Sequence, residues 1–126
     1  MVETGRRKTM VEKWMEEIKR SVDPGELGMM LVHNGVVRAT SKEGKPVKAM
    51  RLSYDRVLLA AAVDEARKHD GIADVKVWIN EGDLKVGDDI MYVLVAGRFR
   101  TDVLPVLQVL LTKVKGEVVH EEEVLP

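Results

Sequence analysis

A chain of 126 residues with 20 basic and 21 acidic side chains carries a net charge of −1, so it has no overall attraction for nucleic acid or an anionic membrane. It has no cysteine, which excludes disulfides, thiolate metal centres and thiol nucleophiles. Two Trp, two Tyr and one Phe are too few for a base-stacking surface, and 33% charged with 45% hydrophobic residues is the balance of an ordinary globular protein.

The length fits one domain, 1–126, with residues 1–8 expected to be flexible. The basic start MVETGRRKTM leads into an amphipathic segment rather than an apolar leader, and no apolar run approaches the ~18 residues of a membrane span, so a cytoplasmic location is expected. Met10, Trp14, Ile18 and Val11, Met15, Val22 recur at three and four, predicting a helix over 9–22 that Asp23-Pro24-Gly25 stops. GMMLVHNGVVRAT is then an apolar, β-branched strand, with a bulge or close approach expected at Gly35. SKEGKP reads as a turn and VKAMRLSY as a second strand.

Residues 56–69, RVLLAAAVDEARKH, are strong helix formers, with Gly71 suited to the cap. VKVWI is a strand, EGDLKVGDD a corner, and IMYVLVA a strand apolar enough to be central. Thr101 or Asp102 is expected to cap a third helix, which puts Pro105 in its first turn, where a missing N–H costs little. Val103, Leu104, Val106, Leu107, Leu110, Leu111 and Val114 give that helix an apolar face wider than one stripe, suited to burial on more than one side, partly by another subunit. Gly116 is expected to end it, and EVVHEEEVL is a final edge strand whose acids discourage further pairing. Three helices and strands in this order predict an α+β fold on a mixed or antiparallel sheet.

Arg98 and Arg100 stand at the mouth of the third helix, where orphan amides and the helix dipole favour an anion; the local sequence alone favours reading them as a pair of solvated loop arginines. Lys113 and Lys115 lie at its other end, where the dipole favours cations in any case. Arg38 follows the first strand as a ligand clamp or a strand-end charge. His33, His69 and His120 lack the spacing of metal ligands, and no phosphate loop, nucleophile elbow or dinucleotide fingerprint occurs, so neither metal nor cofactor is expected. From Arg100 to Lys115 a continuous helix would rise about 22 Å, too far for one chain's two ends to grip one small ligand. Either the ends serve different sites, or a two-fold dimer sets the arginine end of one copy beside the lysine end of the other.

Taken together, GMMLVHNGVVR at 28–38, EGDLKVGDDI at 81–90, and Arg100 followed fifteen residues later by Lys115 resemble the large subunit of molybdopterin synthase, over about residues 9–122. The family's Phe-x-Gly-x-Val-Arg strand end reads His33-Asn34-Gly35-Val36-Val37-Arg38 here, and its His-Arg-x-Gly-Glu-Leu corner reads Ile79-Asn80-Glu81-Gly82-Asp83-Leu84. The His-Arg pair that opens the third helix reads Phe99-Arg100, the lysine at the helix end falls on Lys115, and Trp-Lys-x-Glu falls near Val119-His120-Glu121-Glu122.

The resemblance implies an α/β-hammerhead fold and a homodimer within a heterotetramer, whose outer subunits are small ubiquitin-like sulfur carriers ending in Gly-Gly. The carrier's thiocarboxylate would deliver sulfur to cyclic pyranopterin monophosphate, twice, to make the dithiolene of molybdopterin. It implies Lys115 as the catalytic amine, His120 in place of a second lysine as acid or base, and Arg38 and Arg100, with Arg98 as an addition, as substrate-binding cations. The departures from the family pattern keep two classes of function open: an active sulfurtransferase, or a noncatalytic relative that binds a carrier protein or pterin without turnover.

Overall fold

In the computed structural model, which describes residues 8–126, the first helix, α1 (Met10–Ser21), begins where Thr9 Oγ1 accepts a hydrogen bond from Glu12 N at 3.1 Å. The expectation of flexibility for residues 1–8 lies outside the described residues except at Lys8, which pairs with Glu16 of α1. A short 3₁₀ turn at Pro24–Glu26 leads into β1 (Met29–Val36), whose register slips between Gly35 and Val36, the bulge that Gly35 predicted. Next come β2 (Ala49–Tyr54) and α2 (Arg56–Arg67), the latter capped by Asp55, whose carboxylate accepts from Val57 N and Leu58 N at 2.9 and 3.0 Å. β3 (Ile72–Ile79), β4 (Gly82–Lys85), β5 (Asp89–Gly97), α3 (Arg100–Lys113) and β6 (Val119–Val124) complete the chain.

The strands form two antiparallel sheets rather than one, ordered β1-β5-β3 and β4-β2-β6. β5 is central in its sheet and buried on both faces. Leu94 and Ala96 meet Ile18 of α1 on one side, while Met91, Val93 and Val95 join α2, α3 and the second sheet on the other. Met50, Leu52, Leu84 and Val118 carry this larger core across to the second sheet. Among the described residues β6 pairs with β2 alone, as an acidic edge strand should. Among the described residues no helix is long and apolar enough to cross a membrane.

Three local expectations are corrected. The corner EGDLKVGDD contains a strand: β4 pairs with β2 from Ala49↔Lys85 to Leu52↔Gly82. Its one buried residue, Leu84, gives no periodicity to read. The third helix starts earlier than a Thr101 or Asp102 cap implies. Phe99 is its N-cap, with no side-chain capping bond, and Pro105 therefore lies in the second turn rather than the first. Asp102 is unavailable as a cap because its carboxylate turns toward Arg98, 3.7 Å away, and packs under Gly71. Finally, Gly116 does not stop the coil: a π turn, Val114–Val118, runs through it to β6. Its wide turn, closed by Val119 N donating to Val114 O, lets Val114 and Val118 both face the core.

Candidate functional site

The bulge in β1 redirects the chain so that Arg38 emerges beside the second sheet. The segment is held there by Val37 N donating to Asp88 O at 2.9 Å and Gly87 N donating to Val37 O at 2.8 Å. Just before the bulge, the Asp89 carboxylate accepts from the Tyr92 hydroxyl and from Asn34 Nδ2 at 3.0 Å; these bonds hold its pKa below the ordinary value and pin β1 to β5. Arg38 itself donates from Nε to Thr40 O at 2.8 Å, which leaves its terminal nitrogens available.

Lys115 is supplied by the π turn. Arg38 and Lys115 line one open cavity of about 470 Å³, together with Lys42, Glu43, Glu121, Glu123 and the apolar Val36, Met50 and Ile90. Lys115 Nζ lies 2.8 Å from Glu121 Oε1, and its side chain is 54% exposed. The amine therefore faces a cavity, and a ligand can reach it.

The other residues that the sequence points to are elsewhere. Arg98 is surrounded by carboxylates: Nη2 is 3.2 Å from Asp70, and Nε is 3.7 Å from Asp102 and 3.9 Å from Glu26. It ties the start of α3 to the loops before β1 and β3. Arg100 is the first residue of α3, exposed, with no side-chain bond among the described residues; it lies at the far end of the coil from Lys115. Lys113 pairs with Glu65 and joins α3 to α2. His120 and Glu122 point to the opposite side of β6 from Glu121, into a separate cavity of about 260 Å³ with Arg51, Ser53 and Asp83. Within one chain, then, Arg38 and Lys115 come together, and Arg98, Arg100 and His120 do not join them.

Two residues near Lys115 were not assigned roles from sequence. Glu121 is one; strand alternation was the available signal, since 119, 121 and 123 must share a face that excludes His120. His33 is the other. Burial holds its imidazole below the ordinary pKa, and the charge of Lys115 pushes it the same way. Because the folded-state value lies below the unfolded one, the stability tied to His33 is present above pH 6.5 and lost as pH falls through the folded pKa. Lys115→Ala removes the second cause, so the His33 pKa is expected to rise toward 6.5 in an NMR titration of the imidazole protons. An unmoved curve would place the amine away from β1. Among the described residues no group of three or more His, Asp or Glu side chains converges as metal ligands would.

Comparison with known proteins bears on the fold and on the family. Among solved structures the chain is similar to molybdopterin synthase from Staphylococcus aureus, with a TM-score of 0.72 and 19% identity over 89% of this chain and 84% of that one. It is similar to the complex of subunits 1 and 2 of molybdopterin-converting factor from Helicobacter pylori 26695, with a TM-score of 0.71 and 16% identity, covering 92% and 76% of the two chains. A third likeness is to the molybdopterin biosynthesis MoaE protein from Burkholderia ambifaria MC40-6, at a TM-score of 0.70 and 21% identity over 96% and 82%. No curated protein matches the sequence. At such identities these structures speak to the shared α+β fold. The family model described as MoaE protein matches the sequence itself over residues 7–117, nearly the whole chain up to β6, and the chain belongs to that family.

Proposed function

We propose that the chain is the large subunit of a molybdopterin synthase, a sulfurtransferase that moves sulfur from a thiocarboxylated small carrier to cyclic pyranopterin monophosphate. The observation that carries this reading is the convergence of Arg38 and Lys115, from β1 and the π turn, on one open cavity. Membership of the MoaE family supports it, as does the likeness to structures of molybdopterin synthase and of a two-subunit molybdopterin-converting factor.

In this reading the carrier's extended tail enters the cavity with its thiocarboxylate toward Lys115. The thiocarboxylate sulfur bonds to a substrate carbon as a carbon–oxygen bond to that carbon breaks, the oxygen leaving on the phosphate in one round and, protonated, as water in the other. Water then cleaves the acyl carbon–sulfur bond, which returns the tail as a carboxylate and leaves the sulfur on the substrate. Negative charge develops on the acyl oxygen in that second step, and the Lys115 ammonium is placed to stabilise it and to pass a proton. The other route open to the same group is covalent: the neutral Lys115 amine attacks the acyl carbon, the acyl carbon–sulfur bond breaks with the sulfur leaving on the substrate, and water then hydrolyses the amide to free the lysine and the tail carboxylate. Arg38 offers two nitrogens to the substrate phosphate. Two rounds supply the two sulfurs of the dithiolene.

Arg100 enters this chemistry through a homodimer. A two-fold pairing would bring it beside the partner copy's cavity, which no single chain can do along a coil of about 22 Å. Exposed apolar side chains, Leu104 at 40% and Val109 at 55% on α3 and Phe99 at 64% at its cap, leave area for a partner copy to cover. With a carrier bound to each copy, the assembly is a heterotetramer. A monomer in solution would argue against this arrangement.

A second reading, a noncatalytic relative that binds carrier or pterin without turnover, is favoured by the acids around the cavity and by His120 facing away from it. Mixing the chain with thiocarboxylated carrier and pterin precursor separates the two. Mass spectrometry of both products is expected to show a carboxylate-ended carrier and a sulfur-bearing pterin; bound but unchanged reactants would establish the second reading instead.

A further inference from the structure

We propose that Glu121 is the specificity-determining residue of the Arg38–Lys115 cavity: it holds the Lys115 ammonium against small free anions such as phosphate, so that only a ligand gaining further contacts along the cavity can claim it. The identity of that ligand, an extended carrier tail, rests on the function proposed above; the role of Glu121 toward free anions does not.

The geometry makes Glu121 a standing competitor. Its carboxylate lies 2.8 Å from the Lys115 amine, and its side chain is 20% exposed against 54% for the lysine, so the acid is the more fixed member of the pair. Its backbone is paired with Leu52 in the β2–β6 ladder, which keeps the side chain on the cavity face. Glu121 also lies beyond residues 7–117, the stretch that matches the family model.

The surrounding charges point the same way. Arg38, Lys42 and Lys115 are balanced by Glu43, Glu121 and Glu123 on the same cavity wall. A free phosphate would meet no net positive field there and would have to displace a carboxylate already in place. An extended tail brings backbone hydrogen-bonding groups and apolar contact with Met50 and Ile90 in addition to its single terminal charge, and can offset the loss of the ion pair. Glu121→Gln keeps the shape of the side chain and its backbone bonds while removing the competing charge.

Inorganic phosphate, titrated by calorimetry into wild type, Glu121→Gln and the double variant Glu121→Gln/Lys115→Ala, tests this. Glu121→Gln is expected to bind phosphate about fivefold more tightly than wild type, the effect of removing one partly exposed charge partner worth ~1 kcal/mol. The gain should vanish in the double variant. Equal affinity in wild type and Glu121→Gln, no detectable binding by either, or a gain that survives the loss of Lys115 would each overturn the inference. The titration uses neither carrier nor pterin. Absent sulfur transfer would therefore count against the proposed function alone, and an active wild type with an unimproved Glu121→Gln would count against this inference alone.

Discussion

Replacing Lys115 by alanine is expected to reduce sulfur transfer at least a hundredfold, within the roughly 10²–10⁴ range typical of losing a positioned proton donor or acceptor. The fold should survive. Lys115 is 54% exposed, its one ion pair among the described residues is with Glu121, and an exposed pair of this kind contributes at most about 1 kcal/mol. Single-turnover assay of the variant beside its thermal unfolding curve separates the two effects. Full transfer by Lys115→Ala would remove the amine from the mechanism and leave Arg38 as the cavity's main cation for binding. The contrast with Glu121→Gln is informative, because that change frees the same amine instead of deleting it.

The largest effect on stability is expected from Gly97→Ala. Gly97 closes β5, is buried, and would carry a Cβ 2.3 Å from Gly71 O and 2.7 Å from Val103 Cγ2. Neither neighbour can yield cheaply. Gly71 O accepts from Arg98 N at 3.0 Å, and Gly97 O accepts from Gly28 N at 2.8 Å, so relief of the overlap breaks bonds in the junction of β1, β3, β5 and α3. A loss of about 3 kcal/mol or more follows from overpacking against backbone, which lowers the unfolding midpoint by roughly 10 °C for a chain of this size. Gly44→Ala is the control. It has φ +80° in an exposed turn with no atom near its missing Cβ, so its cost is confined to backbone strain of about 1 kcal/mol. Equal melting of the two variants would show that the junction is softer than its hydrogen bonds imply.

The junction also explains a limit of reading the third helix from sequence. Thr101 and Asp102 are good capping residues, and Pro105 suits a first turn, yet the helix starts at Arg100 with Phe99 as an unassisted cap. Asp102 is drawn away by Arg98 and by the space above it that Gly71 leaves open. Those partners are distant in sequence, and local capping preference, worth about 1 kcal/mol, yields to them. β4 was overlooked for a related reason: a four-residue strand with one buried side chain becomes visible only when its partner, β2, is known.

What the sequence determined by itself is whatever neighbouring residues express together. The stripe of α1, the strong helix formers of α2, the apolar run of β5, the glycine at the β1 bulge and the acids of the β6 edge are all local signals, and each element stands where its signal indicated. The motifs from Gly28 to Lys115 likewise carried the family likeness. The tertiary structure alone decided the company each charge keeps. It set Arg38 and Lys115 on one cavity, surrounded Arg98 with three carboxylates, and turned Glu121 rather than His120 toward the lysine amine. The physical reason is register: a strand's two faces differ by one residue, and which face meets the cavity is fixed by pairing with β2, far earlier in the chain, where Leu52 faces Glu121.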